Sequence, residues 1–256
     1  MSAARPKVAF FDFASCEGCQ LTVIDALQTH PDLLGAVEIV QFREAMSEKQ
    51  EDYVIAFVEG ACTRPGDEAR LNAVRNQATL VVALGACAHL GGVNTVRNRQ
   101  SSDEVKRYVY GELGKLDESY PARPIGAVIS VDAFIPGCPI DREEFVRAVK
   151  ALLQDRQPLI PDHAVCVECK LKENPCVLLC GRICLGPVVR AGCGAICPAV
   201  GVGCEGCRGL ISHPNLEELQ AELLRRGHTD VHISKKMGLF LTSAIMEREG
   251  TGYGKG

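Results

Sequence analysis

Cysteine is the residue whose number and spacing in this chain imply chemistry most directly. Fourteen occur: Cys16, Cys19, Cys62, Cys87 and Cys138 are spread over the first 160 residues, and nine fall between Cys166 and Cys207. Four thiolates hold a [4Fe–4S] cube, and twelve of the fourteen cysteines divide into three sets of four. The first set is Cys16, Cys19, Cys87 and Cys138. Cys16-Glu17-Gly18-Cys19 reads as a strand-to-helix turn, where glycine permits close backbone approach and the helix N-terminus offers amide donors to an anionic group. Gly85-Ala86-Cys87 and Pro136-Gly137-Cys138-Pro139 also place small residues beside the thiol. Their free backbone N–H groups are able to bond cluster sulfurs and so shift a reduction potential.

The remaining ligands are Cys166-x2-Cys169, Cys176, Cys184, Cys193-x3-Cys197-Pro198 and Cys204-x2-Cys207. Sequence order assigns Cys166, Cys169, Cys176 and Cys184 to one cube and Cys193, Cys197, Cys204 and Cys207 to another. Interleaved ligation, as in two-cluster ferredoxins, satisfies the same count. Paired Cys-x2-Cys motifs are also zinc-ribbon signals, and two tetrahedral zinc ions would use the same eight thiolates in an interaction module. A chain of redox centres accounts for all twelve together. Cys62, after Glu59-Gly60-Ala61, reads as a free thiol or as a group that tunes the first cluster. Cys180 lies between Cys176 and Cys184 and could replace either. His89 and His163 offer at most hydrogen bonds to a cluster. Triads, phosphate loops and dinucleotide fingerprints are absent as motifs, so no site for hydrolysis or hydride transfer is evident.

The first set requires elements that bring distant residues to one place. Val8 to Phe13, Tyr53 to Val58, Leu80 to Leu84 and Ala127 to Val131 are short apolar runs that read as buried strands. Helices are expected over Gln20 to Thr29, Pro65 to Gln77 and Arg142 to Gln154, the last with Asp141 as N-cap. Such alternation predicts an α/β fold, a flavodoxin-like doubly wound parallel sheet over residues 1–157 with its cysteines beyond the strand ends. Gln157-Pro158-Leu159-Ile160-Pro161 reads as a linker to a small cysteine-rich domain, 158–256. Its stretch from Cys166 to Cys207 has few large apolar residues, so inorganic clusters are expected to serve as its core. A final helix is expected over Asn215 to Arg226, stopped by Gly227.

Composition narrows the partners. A net charge of -4 with no Trp gives neither the basic stripe nor the stacking platform that nucleic acid requires. No apolar run approaches the ~20 residues of a membrane-spanning helix. The N-terminal residues show neither a signal core nor a twin arginine, so a cytoplasmic protein with reduced thiols is expected.

The motifs together resemble the small, electron-transfer subunit of cytoplasmic [NiFe] hydrogenases of the F420-non-reducing, sulfhydrogenase and NAD(P)-linked type. The likeness is carried by Cys16-x2-Cys19, Val58-Glu59-Gly60, Gly85-Ala86-Cys87 leading to Gly91-Gly92-Val93, and Pro136-Gly137-Cys138-Pro139. It continues from Cys184-Leu185-Gly186-Pro187 through Gly192-Cys193-Gly194-Ala195 to Cys197-Pro198. The resemblance implies three [4Fe–4S] clusters: a proximal one on the first set, a medial one on Cys193, Cys197, Cys204 and Cys207, and a distal one on Cys166, Cys169, Cys176 and Cys184. It also implies a large-subunit partner that carries the nickel–iron centre, and a downstream acceptor subunit containing flavin or iron–sulfur. The cluster-bearing subunit of complex I shares the sheet domain, but it carries adjacent cysteines in place of Cys16-x2-Cys19 and lacks the eight-cysteine region. An apolar partner surface is expected around residues 14–20, 60–64 and 87–97.

Overall fold

Strands buried on both faces read as continuous apolar runs, and each face then takes every second residue. Val8 and Phe10 of β1 (Lys7–Asp12) join one apolar cluster, while Ala9 and Phe11 join another. The same division holds for Ile55 and Phe57 against Ala56 and Val58 in β3 (Ile55–Glu59), and for Val82 and Leu84 against Val81 and Ala83 in β4 (Leu80–Leu84). With β2 (Glu38–Phe42) and β5 (Ala133–Ile135) these strands form a parallel sheet of order β2-β1-β3-β4-β5. This is the flavodoxin-like doubly wound order. The computed structural model describes residues 5–116 and 118–250.

Helices cover both faces. Val23 and Ala26 of α1 (Gly18–Thr29) and Phe145 and Val149 of α6 (Arg142–Leu152) pack into the first cluster, and Leu71 and Val74 of α3 (Pro65–Gln77) pack into the second. The Asp141 carboxylate caps α6 by accepting the Glu144 N–H at 2.7 Å. Between these lie α2 (Pro31–Ala36), α4 (Gly85–Leu90) and α5 (Ser102–Tyr110).

Two expectations are corrected. Residues 127–131 are not a strand: Ile125–Ala127 is a 3-10 turn, Ile125 and Ile129 are buried beneath the sheet edge, and the strand begins at Ala133. The β-branched run was a packing signal, since a loop that plugs a core needs the same residues as a strand. The edge strand β2 was not anticipated; its half-buried Glu38, Ile39 and Gln41 blur the apolar run.

The chain divides into two compact units, Met1–Leu159 and Ile160–Gly256. The second contains α7 (Val165–Leu171), α8 (Ile196–Ala199), α9 (Leu216–Arg225), α10 (Asp230–Gly238) and α11 (Thr242–Arg248). Gly227, at φ +86°, follows α9 in the left-handed conformation that ends a helix. The stretch from Cys166 to Cys207, expected to use inorganic clusters as its core, also contributes to an apolar one. Val165, Val177, Leu185, Val188 and Val189 of the cysteine-bearing region pack with Leu219, Leu223, Ile233, Met237 and Leu241. The C-terminal helices supply what the cysteine-rich loops lack.

Candidate metal centres

Parallel register aligns the strand ends. Asp12 pairs with Glu59, Glu59 with Leu84, and Leu84 with Ile135, so four chains leave the sheet at one edge. Cys16 and Cys19 follow the first of these ends, Cys87 the third and Cys138 the fourth. The helices after β1 and β3 cover opposite faces, which opens a cleft at the carboxyl edge of a doubly wound sheet.

The four thiols of the first set feel one another. Burial pushes the Cys87 thiol up to about 12, helped by the charges of Cys138, Glu59 and Cys16. Burial also raises Cys19 well above the ordinary thiol range, with Glu59, Cys87 and Cys138 adding to the rise, and it raises Cys138, with Cys16 and Glu59 adding. Thiols crowded out of water resist ionising together unless cations replace their protons, as iron does in a cluster. At Gly85, φ +81°, an added Cβ would lie 2.3 Å from Cys19 Sγ, so the sulfur uses space that only glycine leaves.

Glu59 was not singled out as a site residue from the sequence. It is 2% exposed at the end of β3, and its carboxylate accepts the Cys19 N–H at 3.2 Å and the Gln20 N–H at 3.0 Å. Burial pushes its carboxyl up, and the backbone hydrogen bonds oppose that rise. One buried acid thus fixes the helix start that carries Cys19. An acid ending the buried strand Ile-Ala-Phe-Val-Glu59 was the available signal.

Cys62 is fully buried and faces away from this chemistry. Its Sγ lies 3.0 Å from the Tyr120 hydroxyl, which is also 2.9 Å from Glu68 Oε1 and accepts from Arg123. His89 stacks on Phe134 with ring centroids 4.0 Å apart. Of residues 60–64, 60–62 are buried within the chain while Arg64 is exposed, as are Leu21, Val93 and Val96.

In the second unit, burial pushes Cys166 up to about 11, with Cys184, Cys169 and Cys176 adding to the rise. Cys176 and Cys180 are both exposed. Burial raises Cys204 strongly, with further contributions from Cys184, Cys207 and Cys193, and it raises Cys197 with help from Cys193. Cys184 adjoins both groups: its Sγ accepts the N–H groups of Cys204 at 3.2 Å and Gly186 at 3.4 Å. A Cβ on Gly203 would stand 1.9 Å from the Ile183 carbonyl oxygen, so glycine alone allows these two segments to meet. Glu168, also missed from the sequence, accepts the N–H groups of Gly192 at 2.9 Å and Ala195 at 3.2 Å. It ties the helix of Cys166 and Cys169 to the loop of Cys193.

Among the described residues, no three His, Cys, Asp or Glu side chains are placed to bind one metal ion. A donor set made only of thiols suits the irons of a polynuclear cluster, and it suits zinc as well.

Fold and sequence together define an α/β protein with four cysteines gathered at the carboxyl edge of its sheet. A family model described as NADH ubiquinone oxidoreductase, 20 Kd subunit, matches residues 16–152, and the chain belongs to that family. It is 36% identical to Sulfhydrogenase 2 subunit delta of Pyrococcus furiosus, over 91% of this chain and 98% of that one. It is 31% identical to an F420-non-reducing hydrogenase chain of Methanococcus voltae, over 81% of this chain and 83% of that one. A [NiFeSe] hydrogenase structure from Desulfovibrio vulgaris Hildenborough shares the fold, with a TM-score of 0.55 at 17% identity over 84% of this chain and 95% of that one. The family model spans only the sheet unit, whereas these hydrogenase chains match through the cysteine-rich unit as well.

Proposed function

We propose that the chain is the electron-transfer small subunit of a [NiFe] hydrogenase and carries three [4Fe–4S] clusters. The observation that supports this best is the convergence of Cys16, Cys19, Cys87 and Cys138 from three separate strand ends in a chain that matches hydrogenase subunits nearly end to end. Those four residues would hold a proximal cluster. Cys193, Cys197, Cys204 and Cys207 would hold a medial one, and Cys166, Cys169, Cys176 and Cys184 a distal one. Such clusters supply one-electron redox centres at fixed positions.

The chain's own residues set the conditions. Thiolates bind iron, Glu59 and Glu168 fix the segments that carry them, and apolar packing limits water. The protein would relay electrons between the nickel–iron site of a large subunit and a cytoplasmic acceptor subunit containing flavin or iron–sulfur. Exposed Leu21, Val93 and Val96, near the first set, suit burial against that large subunit.

The test is iron and sulfide content of the anaerobically purified complex, with EPR after reduction. About twelve irons and twelve sulfides in this subunit are expected. About eleven irons with an oxidised [3Fe–4S] signal would overturn the medial ligand set, and zinc in place of iron would end the electron-transfer reading. Cys62→Ser and Cys180→Ser should leave the iron count unchanged, whereas Cys16→Ser, Cys19→Ser, Cys87→Ser or Cys138→Ser should abolish H2-dependent dye reduction.

A further inference from the structure

An open groove of about 610 Å³ lies in the second unit, and its wall carries the cations Arg182, Lys235 and Lys236 and the imidazoles of His228 and His232, against the single acid Glu205. Three of these come from one face of α10, where positions i, i+3 and i+4 align. Lys236 is paired with Glu205. Arg182, His232 and Lys235 have no ion-pair partner among the described residues, and His228 Nε2 is buried without a hydrogen bond. Arg182 and Lys235 thus leave unpaired positive charge in the groove, which attracts an anionic surface.

The groove also adjoins the thiols. Ile183 and Gly203 line it, and they directly precede the buried Cys184 and Cys204. Lys236 and Glu205 both act electrostatically on Cys197. The cations therefore lie beside segments that carry the second unit's thiols. A groove this open presents charge to a surface and does not enclose a small anion.

We infer that this groove docks a protein that carries a one-electron centre behind an acidic face. The inference rests on the electron-transfer reading above. Oxidation of one H2 by the complex releases two protons and two electrons, so two such carriers would dock and be reduced in turn. Opposite charge at this face would steer the encounter and make it sensitive to salt.

The probe is a small acidic [2Fe–2S] ferredoxin, titrated into the anaerobically purified complex by calorimetry at about 20 and 300 mM salt, where screening lengths differ several-fold. Wild-type complex should bind at low salt and lose at least tenfold in affinity at high salt. Arg182→Glu with Lys235→Glu should weaken low-salt binding at least tenfold and flatten the salt dependence, while Lys235→Arg should preserve both. His232→Glu repeats the test if the double variant fails to assemble. No binding by wild-type complex, or equal binding by the charge-reversed complex, would overturn the docking site. Viologen reduction by wild-type complex under H2 separates the two readings. If it is present while docking fails, only the groove assignment falls; if it is absent, the electron-transfer reading falls too.

Discussion

Replacing Glu59 by glutamine keeps shape and volume but exchanges one acceptor oxygen for a donor. Both carboxylate oxygens are engaged, by the N–H groups of Cys19 and Gln20, and the residue is buried. One backbone N–H would then face an amide that also donates, which costs about 1–3 kcal/mol. The expected outcome is a lower urea midpoint for the purified complex and faster loss of iron to a chelator. An unchanged midpoint would mean that the helix start holds Cys19 without this acid. At this scale the gathering of Cys16, Cys19, Cys87 and Cys138 beyond the strand ends was legible, because apolar strand runs and glycine beside cysteine are visible patterns. The carboxylates were not. Glu59 and Glu168 act on backbone N–H groups, and no residue type in the sequence announces an orphan amide.

Strands that are apolar on both faces were readable as runs, and the helix over Pro65–Gln77 was readable from proline at its start and amphipathic spacing. The last strand was displaced because three residues are too few to show alternation. What defines it is a side chain outside it: Asp132 Oδ2 accepts the Val81 N–H at 2.7 Å and pairs with Arg75 Nη1 at 2.5 Å. Arg75 in turn donates to the carbonyls of Ala78 and Thr79 at 2.6 and 2.9 Å, which joins the end of α3 to the start of β4. Asp132→Ala should therefore lower stability by about 1–3 kcal/mol, the usual range for hydrogen bonds to charged groups. Because β5 delivers Cys138, the same variant should release iron from the first set sooner than from the other two. Uniform iron release would show that β5 is held by packing alone.

Across the whole molecule the two units differ in what would remain if iron were withdrawn. The sheet unit has an apolar cluster on each face, each taking in one thiol, Cys19 or Cys62, among many aliphatic and aromatic side chains of strands and helices. The cysteine-rich unit places Cys184 and Cys204 inside its own cluster, and its segments from 176 to 207 are mainly turns held by isolated backbone bonds. The sequence showed the shortage of apolar residues in that stretch but not its remedy. Leu219, Leu223, Ile233, Met237 and Leu241 lie beyond it in helices whose packing partners are distant in sequence. Anaerobic chelation followed by hydrogen exchange should thus give three levels of protection. Amides of β1, β3 and β4 should stay protected, those of α9 and α10 should fall partway, and those from 166 to 207 should exchange fastest, since that stretch is mainly turns held by isolated backbone bonds. Loss of protection in β1 and β3 alongside the cysteine loops would mean that the first cluster supports the sheet as well as sitting on it. Full retention in residues 166–207 would mean that the C-terminal helices form a sufficient core, and that iron there adds redox function to a fold that stands without it.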